Sequence, residues 1–161
     1  MIIDSLNEFC DATALDTTGT GRDLLGDVID LGGGTGPDGV TTFAPHDLGN
    51  GKPMYWIVQV TTAFTTGGTS EVGFELATDA AAAIATNGTA TVHIATPVLD
   101  SGTWVAGYTL CIPLPVGVDL PYERYLGILQ NTTTAAVTGG AINSFLSFDP
   151  VGTRYLPDAN N

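Results

Sequence analysis

Residues 112 to 129 read Ile-Pro-Leu-Pro-Val-Gly-Val-Asp-Leu-Pro-Tyr-Glu-Arg-Tyr-Leu-Gly-Ile-Leu. A Pro-rich bend lies between two apolar runs, so the stretch ends one strand, crosses a loop and starts another. The same plan extends in both directions. Met54 to Thr62 is apolar on both faces at Trp56, Ile57 and Val58, which reads as a central strand. Thr69 to Thr78 alternates, with Val72, Phe74 and Leu76 inward and Glu71, Gly73 and Glu75 outward. Thr89 to Thr96 alternates again, with Val92 and Ile94 inward. Val28 to Leu31, Trp104 to Pro113, Arg124 to Thr132 and Ala141 to Asp149 complete the set. About seven or eight short strands with turn signals between them and little helix predict an all-β fold. Two packed antiparallel sheets, a jelly roll or β-sandwich, are the economical arrangement.

The remaining segments connect strands or precede them. Residues 1 to 16 carry a helical spacing at Ile2 or Ile3, Leu6, Phe9 or Cys10, and Ala14; an extended arm with one helical turn fits equally well. Thr17 to Gly26 reads as a loop, and the Gly-rich run from Gly32 to Gly51 as a longer one. Ala80 to Ala83 is a helical turn or a loop crossing. This divides the chain into an arm and loop over 1–25, a jelly-roll domain over 26–150 and an extension over 151–161. No repeat of fixed period is present.

The chain has 161 residues, enough for one domain with a substantial core. Four cations (Arg22, Lys52, Arg124, Arg154) stand against seventeen carboxylates, giving a net charge of −13. Spread over a surface of roughly 7,500 Å², that charge repels phosphate backbones and anionic headgroups, so neither nucleic acid nor membrane is an expected partner. No run approaches the roughly 18 apolar residues of a membrane helix. The start lacks the basic and apolar regions of an export leader, so Cys10 and Cys111 are expected as reduced thiols. Within Thr109 to Ile112, Cys111 reads as a small core hydrophobe.

Candidate chemistry dissolves on inspection. Gly32-Gly-Gly-Thr-Gly lacks the Gly-Lys-Ser/Thr ending of a phosphate loop. Glu71 and Glu75 share a strand face but lie roughly 13 Å apart along it, too far for a glycosidase pair at about 5 to 9.5 Å. They read as solvated charges. His46 and His93 have no further ligand at metal spacing, and zinc needs three or four. Asp23, Asp27 and Asp30 miss the alternating oxygens of a calcium loop. No nucleophile elbow occurs, and neither cysteine has a base beside it in sequence. No catalytic residue, cofactor or metal is expected. Most of Tyr55, Trp56, Trp104, Tyr108, Tyr122, Tyr125 and Tyr155 are expected in the core, although two or three exposed together would make a sugar-binding face. Arg124 is expected at the surface, paired where it starts its strand.

One family shares an ordered set of these motifs. The opening Met1-Ile-Ile-Asp-x-Leu-x-x-Phe-x-Asp-Ala-x-Ala-Leu15 and Val28-Ile-Asp-Leu-Gly32 resemble the cement (decoration) proteins of short-tailed phages, typified by that of a Bordetella phage. So do Gly51-x-Pro-Met-Tyr-x-x-Val-Gln-Val60, Phe74-Glu-Leu-x-Thr-Asp79, Ile112-Pro-Leu-Pro115, Glu123-Arg-Tyr-Leu-Gly127 and Ser144-Phe-Leu-x-x-Asp-Pro150. The matches run over roughly residues 1 to 150. The resemblance implies a jelly roll that docks outside an HK97-type shell and clamps neighbouring major capsid subunits, as a homodimer rather than a trimer, without catalysis. The segment from Gly32 to Gly51 and residues 151 to 161 are longer than the resemblance leads one to expect.

The arm cannot bury Ile2, Ile3, Leu6 and Phe9 by itself, so these four are the candidate contacts with the shell. Removing residues 1 to 10 should then abolish attachment and leave the sandwich folded. The rival reading is a carbohydrate-binding sandwich of a phage tail or surface appendage. A cluster of exposed tryptophans and tyrosines would favour it.

Overall fold

Runs of β-branched and aromatic residues punctuated by Gly, Pro and Thr give a chain whose regular elements, among the described residues, are nearly all strands. The computed structural model describes residues 5–35, 39, 42–43, 48, 52–115 and 121–149. Numbered in chain order, the strands are β1 Glu8–Ala14, β2 Gly21–Asp30, β3 Gly34–Thr35, β4 Thr42–Phe43, β5 Tyr55–Thr66 and β6 Glu71–Asp79. They continue with β7 Thr91–Ala95, β8 Leu99–Asp100, β9 Thr109–Pro113, β10 Tyr125–Thr133 and β11 Val137–Ser147. Short 3₁₀ turns occupy Ser5–Asn7 and Ser101–Thr103.

Two antiparallel sheets hold the eight strands of five or more residues. One runs β1-β11-β5-β9 and the other β2-β10-β6-β7, with β8 also against β6; β3 and β4 form a separate ribbon. The pairing is nested. Antiparallel β1 meets β11, β2 meets β10, β5 meets β9 and β6 meets β7. A long hairpin of strand pairs, rolled so that successive pairs fall in alternate sheets, produces this order. It is a jelly roll, as the strand pattern predicted.

Between the sheets lie Trp56, Val58 and Val60 of β5, Val72, Phe74 and Leu76 of β6, Leu126 and Ile128 of β10, and Ile142 and Leu146 of β11. β5 is central as expected. Ile57 points to the opposite face and is buried too, beside its cross-strand partner Phe145. A smaller cluster sits outside the second sheet, where Ile84 packs over Ala77 and Leu129 with Leu24, Val28 and Val92 around it. Asp79 holds the overlying 80–85 crossing by accepting from the Ala81 and Ala85 amides at 3.1 and 3.0 Å.

Five expectations need correction. The segment from Thr17 to Gly26 is not all loop: β2 starts at Gly21, because β10 supplies a ladder that Gly, Arg and Asp do not advertise. The sandwich therefore begins at Glu8, not at residue 26, and the arm proper is shorter than 1–25. Trp104 precedes β9 instead of opening it, although its carbonyl accepts from the Phe64 amide at 3.0 Å. Val92 packs outside the sheet, because an extra β7 residue at His93 shifts register between the Leu76 and Ala77 pairings. Cys111 is exposed on β9, and Cys10 is the buried thiol, with its pKa pushed up to about 12 mainly by burial. Both cysteines are free.

Candidate interaction surface

The arm divides between core and surface. Phe9 is 1% exposed and belongs to the main core through β1, whereas Leu6 is 75% exposed in the preceding turn. Ile2 and Ile3 lie outside the described residues. Phe9 is thus a core residue and not a free contact. Removing residues 1 to 10 would strip it and the head of β1 from the sandwich, so that deletion cannot separate attachment from folding.

Register places Leu6 beside the end of β11. Glu8 pairs with Phe145, and the Ser5–Asn7 turn touches that same strand. Phe148, just past β11, is 49% exposed, with the Lys52 ammonium 4.9 Å from its ring centre. Two large apolar side chains and a cation therefore share one end of the sandwich. Val98 and Val105 are the other large apolar residues exposed among those described, and both lie between β7 and β9.

The carboxylates concentrate elsewhere. β1 and β2 lie against one another and bring Glu8 and Asp11 near Asp27. Burial, then Asp11 and Asp27, raises the Glu8 pKa; burial, then Asp16, raises that of Asp23. A carboxyl whose folded pKa is raised weakens the fold as pH rises through it, so the penalty is fully present at neutral pH. Glu8→Gln should therefore raise the melting temperature near neutral pH. The gain should fade as pH falls through the raised pKa, be gone below the ordinary value of 4.5, and shrink with added salt. Melting curves that show no gain at low ionic strength would place the repulsion elsewhere.

Glu75 corrects the expectation of a solvated charge. Its residue is 5% exposed, and its carboxylate accepts from Arg22 Nε at 2.6 Å, Arg22 Nη2 at 3.0 Å and Asn131 Nδ2 at 3.1 Å. Glu71 accepts from the Thr133 and Thr134 hydroxyls. Both carboxylates are committed to neighbouring strands and turns. Sequence reasoning missed the Arg22 pairing because Arg22 fell in an assigned loop. The shortage of cations was the available signal. Arg124 is exposed as expected, but its partner is Asp30, with Nη2 to Oδ2 at 2.9 Å, while Glu123 accepts from the Thr91 hydroxyl.

His93 is held by structure. Its Nε2 is 2.7 Å from the Thr78 hydroxyl, and its ring stacks on Tyr122 with centroids 4.2 Å apart. Burial lowers its pKa and Glu123 opposes the shift. His46 lies outside the described residues. Among those described, no three His, Cys, Asp or Glu side chains gather at metal-binding range. Both tryptophans are buried: Trp56 donates to the Ser144 hydroxyl and Trp104 to the Val72 carbonyl.

No curated protein matches the chain. A family model described as Bbp16 matches residues 9–146, from the first core side chain of β1 to the last of β11. The match takes in the jelly roll but for its terminal residues Glu8 and Ser147, and the chain belongs to the Bbp16 family, whose name points to a protein of a Bordetella phage.

Proposed function

We propose that this jelly roll is a capsid cement protein. It binds the outer face of a phage shell, clamps neighbouring major capsid subunits, pairs with a second copy of itself and performs no catalysis. The observation that carries the reading is the family match over residues 9–146, joined to the ordered motifs that resemble phage cement proteins. Side-chain placement supports it: the Glu71 and Glu75 carboxylates bond to neighbouring strands and turns, while Leu6 and Phe148 stand exposed at one end. The carbohydrate-binding alternative loses its main support with both tryptophans buried.

Electron cryomicroscopy of virions tests the reading. Many copies spread over the outside of the shell are expected, and density confined to the tail would sink it. Salt gives a second test. If apolar burial around Leu6 dominates docking, attachment to shells should hold or tighten as monovalent salt rises to about 0.5 M, where like-charge repulsion is screened within a few ångströms. Release by moderate salt alone would assign docking to cations on the shell.

A further inference from the structure

Sheet edges expose unpaired backbone groups, and among the described residues three of the four edge strands of the two main sheets are bulged within their length. β1 and β2 close one side of the sandwich against each other, bulged and lined with carboxylates. β7 is bulged at His93 and followed by Pro97. β9 is unbulged and uncharged along Thr109–Pro113; a Gly107–Tyr108 bulge opposite Val60 only precedes it, and its one proline is its last residue. Its pairing with β5 runs without a register shift from Gln59–Thr109 to Tyr55–Pro113, and Thr109-Leu-Cys-Ile-Pro113 contains no charge.

The outer edge of β9, which no described strand pairs, can be read residue by residue. The Val60 amide bonds the Tyr108 carbonyl, and the Leu114 amide bonds the Met54 carbonyl. Backbone groups in an antiparallel strand alternate sides, so Tyr108, Leu110, Ile112 and Leu114 turn theirs toward β5. Thr109, Cys111 and Pro113 turn theirs away. Pro113 follows the rule that a strand proline puts its missing N–H on an open edge. The outward row therefore offers N–H groups at 109 and 111 and carbonyls at 109, 111 and 113.

We propose that this edge pairs with β9 of a second copy of the chain, antiparallel about a two-fold axis at Cys111. The inference deepens the self-association in the reading above and rests on that part of it alone. Each Cys111 amide then donates to the second copy's Cys111 carbonyl, and each Thr109 amide to the second copy's Pro113 carbonyl. Every outward N–H of the strand is used, and two sheets join into one. The occupant follows from charge. Two copies each carrying −13 repel, yet Ser101 to Pro115 contains no charged residue, so here they can meet without apposing carboxylates. A contact this short belongs to the weak class of interfaces, strengthened when a shell holds two copies side by side.

Sedimentation equilibrium at rising protein concentration, with melting curves as the folding control, tests the edge. Wild type should dimerise. Cys111→Pro, which deletes only an outward N–H, should weaken association by more than about tenfold, since two of four bonds are lost. Cys111→Glu, which faces a like charge across the axis, should do the same while melting as wild type does. The glutamate sits at an already exposed position, which keeps the test available if the proline variant fails to fold. A dimer unchanged by the glutamate variant would overturn the edge and leave self-association standing. A wild type monomeric at every concentration would overturn it too. So would a monomer whose glutamate variant no longer co-sediments with bare shells, assigning β9 to the capsid subunit. Wild type that dimerises through this edge but never binds shells would refute the cement reading alone.

Discussion

Gly26→Ala should lower stability by about 3 kcal/mol or more. Gly26 has φ +64°, and a Cβ there would stand 2.0 Å from the Phe9 carbonyl oxygen and 2.8 Å from Cys10 Sγ. Left-handed backbone costs a residue with a side chain about 1–2 kcal/mol, and overpacking a tight contact about 1–3 kcal/mol more. Against a usual total of about 5–15 kcal/mol, the loss amounts to roughly 10 °C in melting temperature. The strain falls where β2 bulges against β1, so the β1–β2 seam should open first, ahead of the Leu6 turn. Gly88→Ala is the control. It also has positive φ, at +92°, but its added carbon would meet only Arg22 Nη1, at an ordinary 3.7 Å. Chemical denaturation should separate the two variants by the overlap cost. Equal losses would mean that β1 moves aside freely.

The fold was legible wherever alternation survived, and obscure wherever backbone pairing alone specified a strand. β6 carries Val72, Phe74 and Leu76 inward as expected, and β5, β10 and β11 lie where strands were expected, because each buries a continuous apolar row. β2 was half hidden. Gly21, Arg22, Asp23, Gly26 and Asp27 look like a turn, and only the partner strand β10 makes them a sheet. Val92 faces away from Ile94 despite their shared parity, since the bulged residue between them, His93, reverses the alternation. Of the four arm residues, two are described. Leu6 is exposed, but Phe9 cannot serve a partner, because β1 buries its side chain in the main core. The β9 edge had no signature beyond an uncharged strand. Which edge of a sandwich stays open depends on topology, and the nested pairing appears only when eight strands are placed together.

The largest single side-chain effect is expected at Trp104, in the crossing between β8 and β9. The indole is 1% exposed and stacks on Phe64 with centroids 5.6 Å apart. It meets Phe74 and Tyr108 edge-on, each at 5.2 Å, and donates from Nε1 to the Val72 carbonyl at 3.1 Å. It thus ties β5, β6 and the approach to β9 into one aromatic group. Trp104→Ala should cost about 3–5 kcal/mol, since transfer energy and a cavity add. Trp104→Phe keeps most of the apolar volume and leaves the Val72 carbonyl without its donor, a penalty of about 1–3 kcal/mol. The predicted order in denaturant midpoint is wild type, then phenylalanine, then alanine. An alanine variant within about 1 kcal/mol of wild type would show that the crossing repacks without its anchor. Because Trp104 also fixes the approach to β9, its loss should weaken self-association before the sandwich unfolds, provided β9 is the pairing edge. Sedimentation of the alanine variant under folding conditions reads that directly, and undiminished dimerisation would uncouple the aromatic group from the edge.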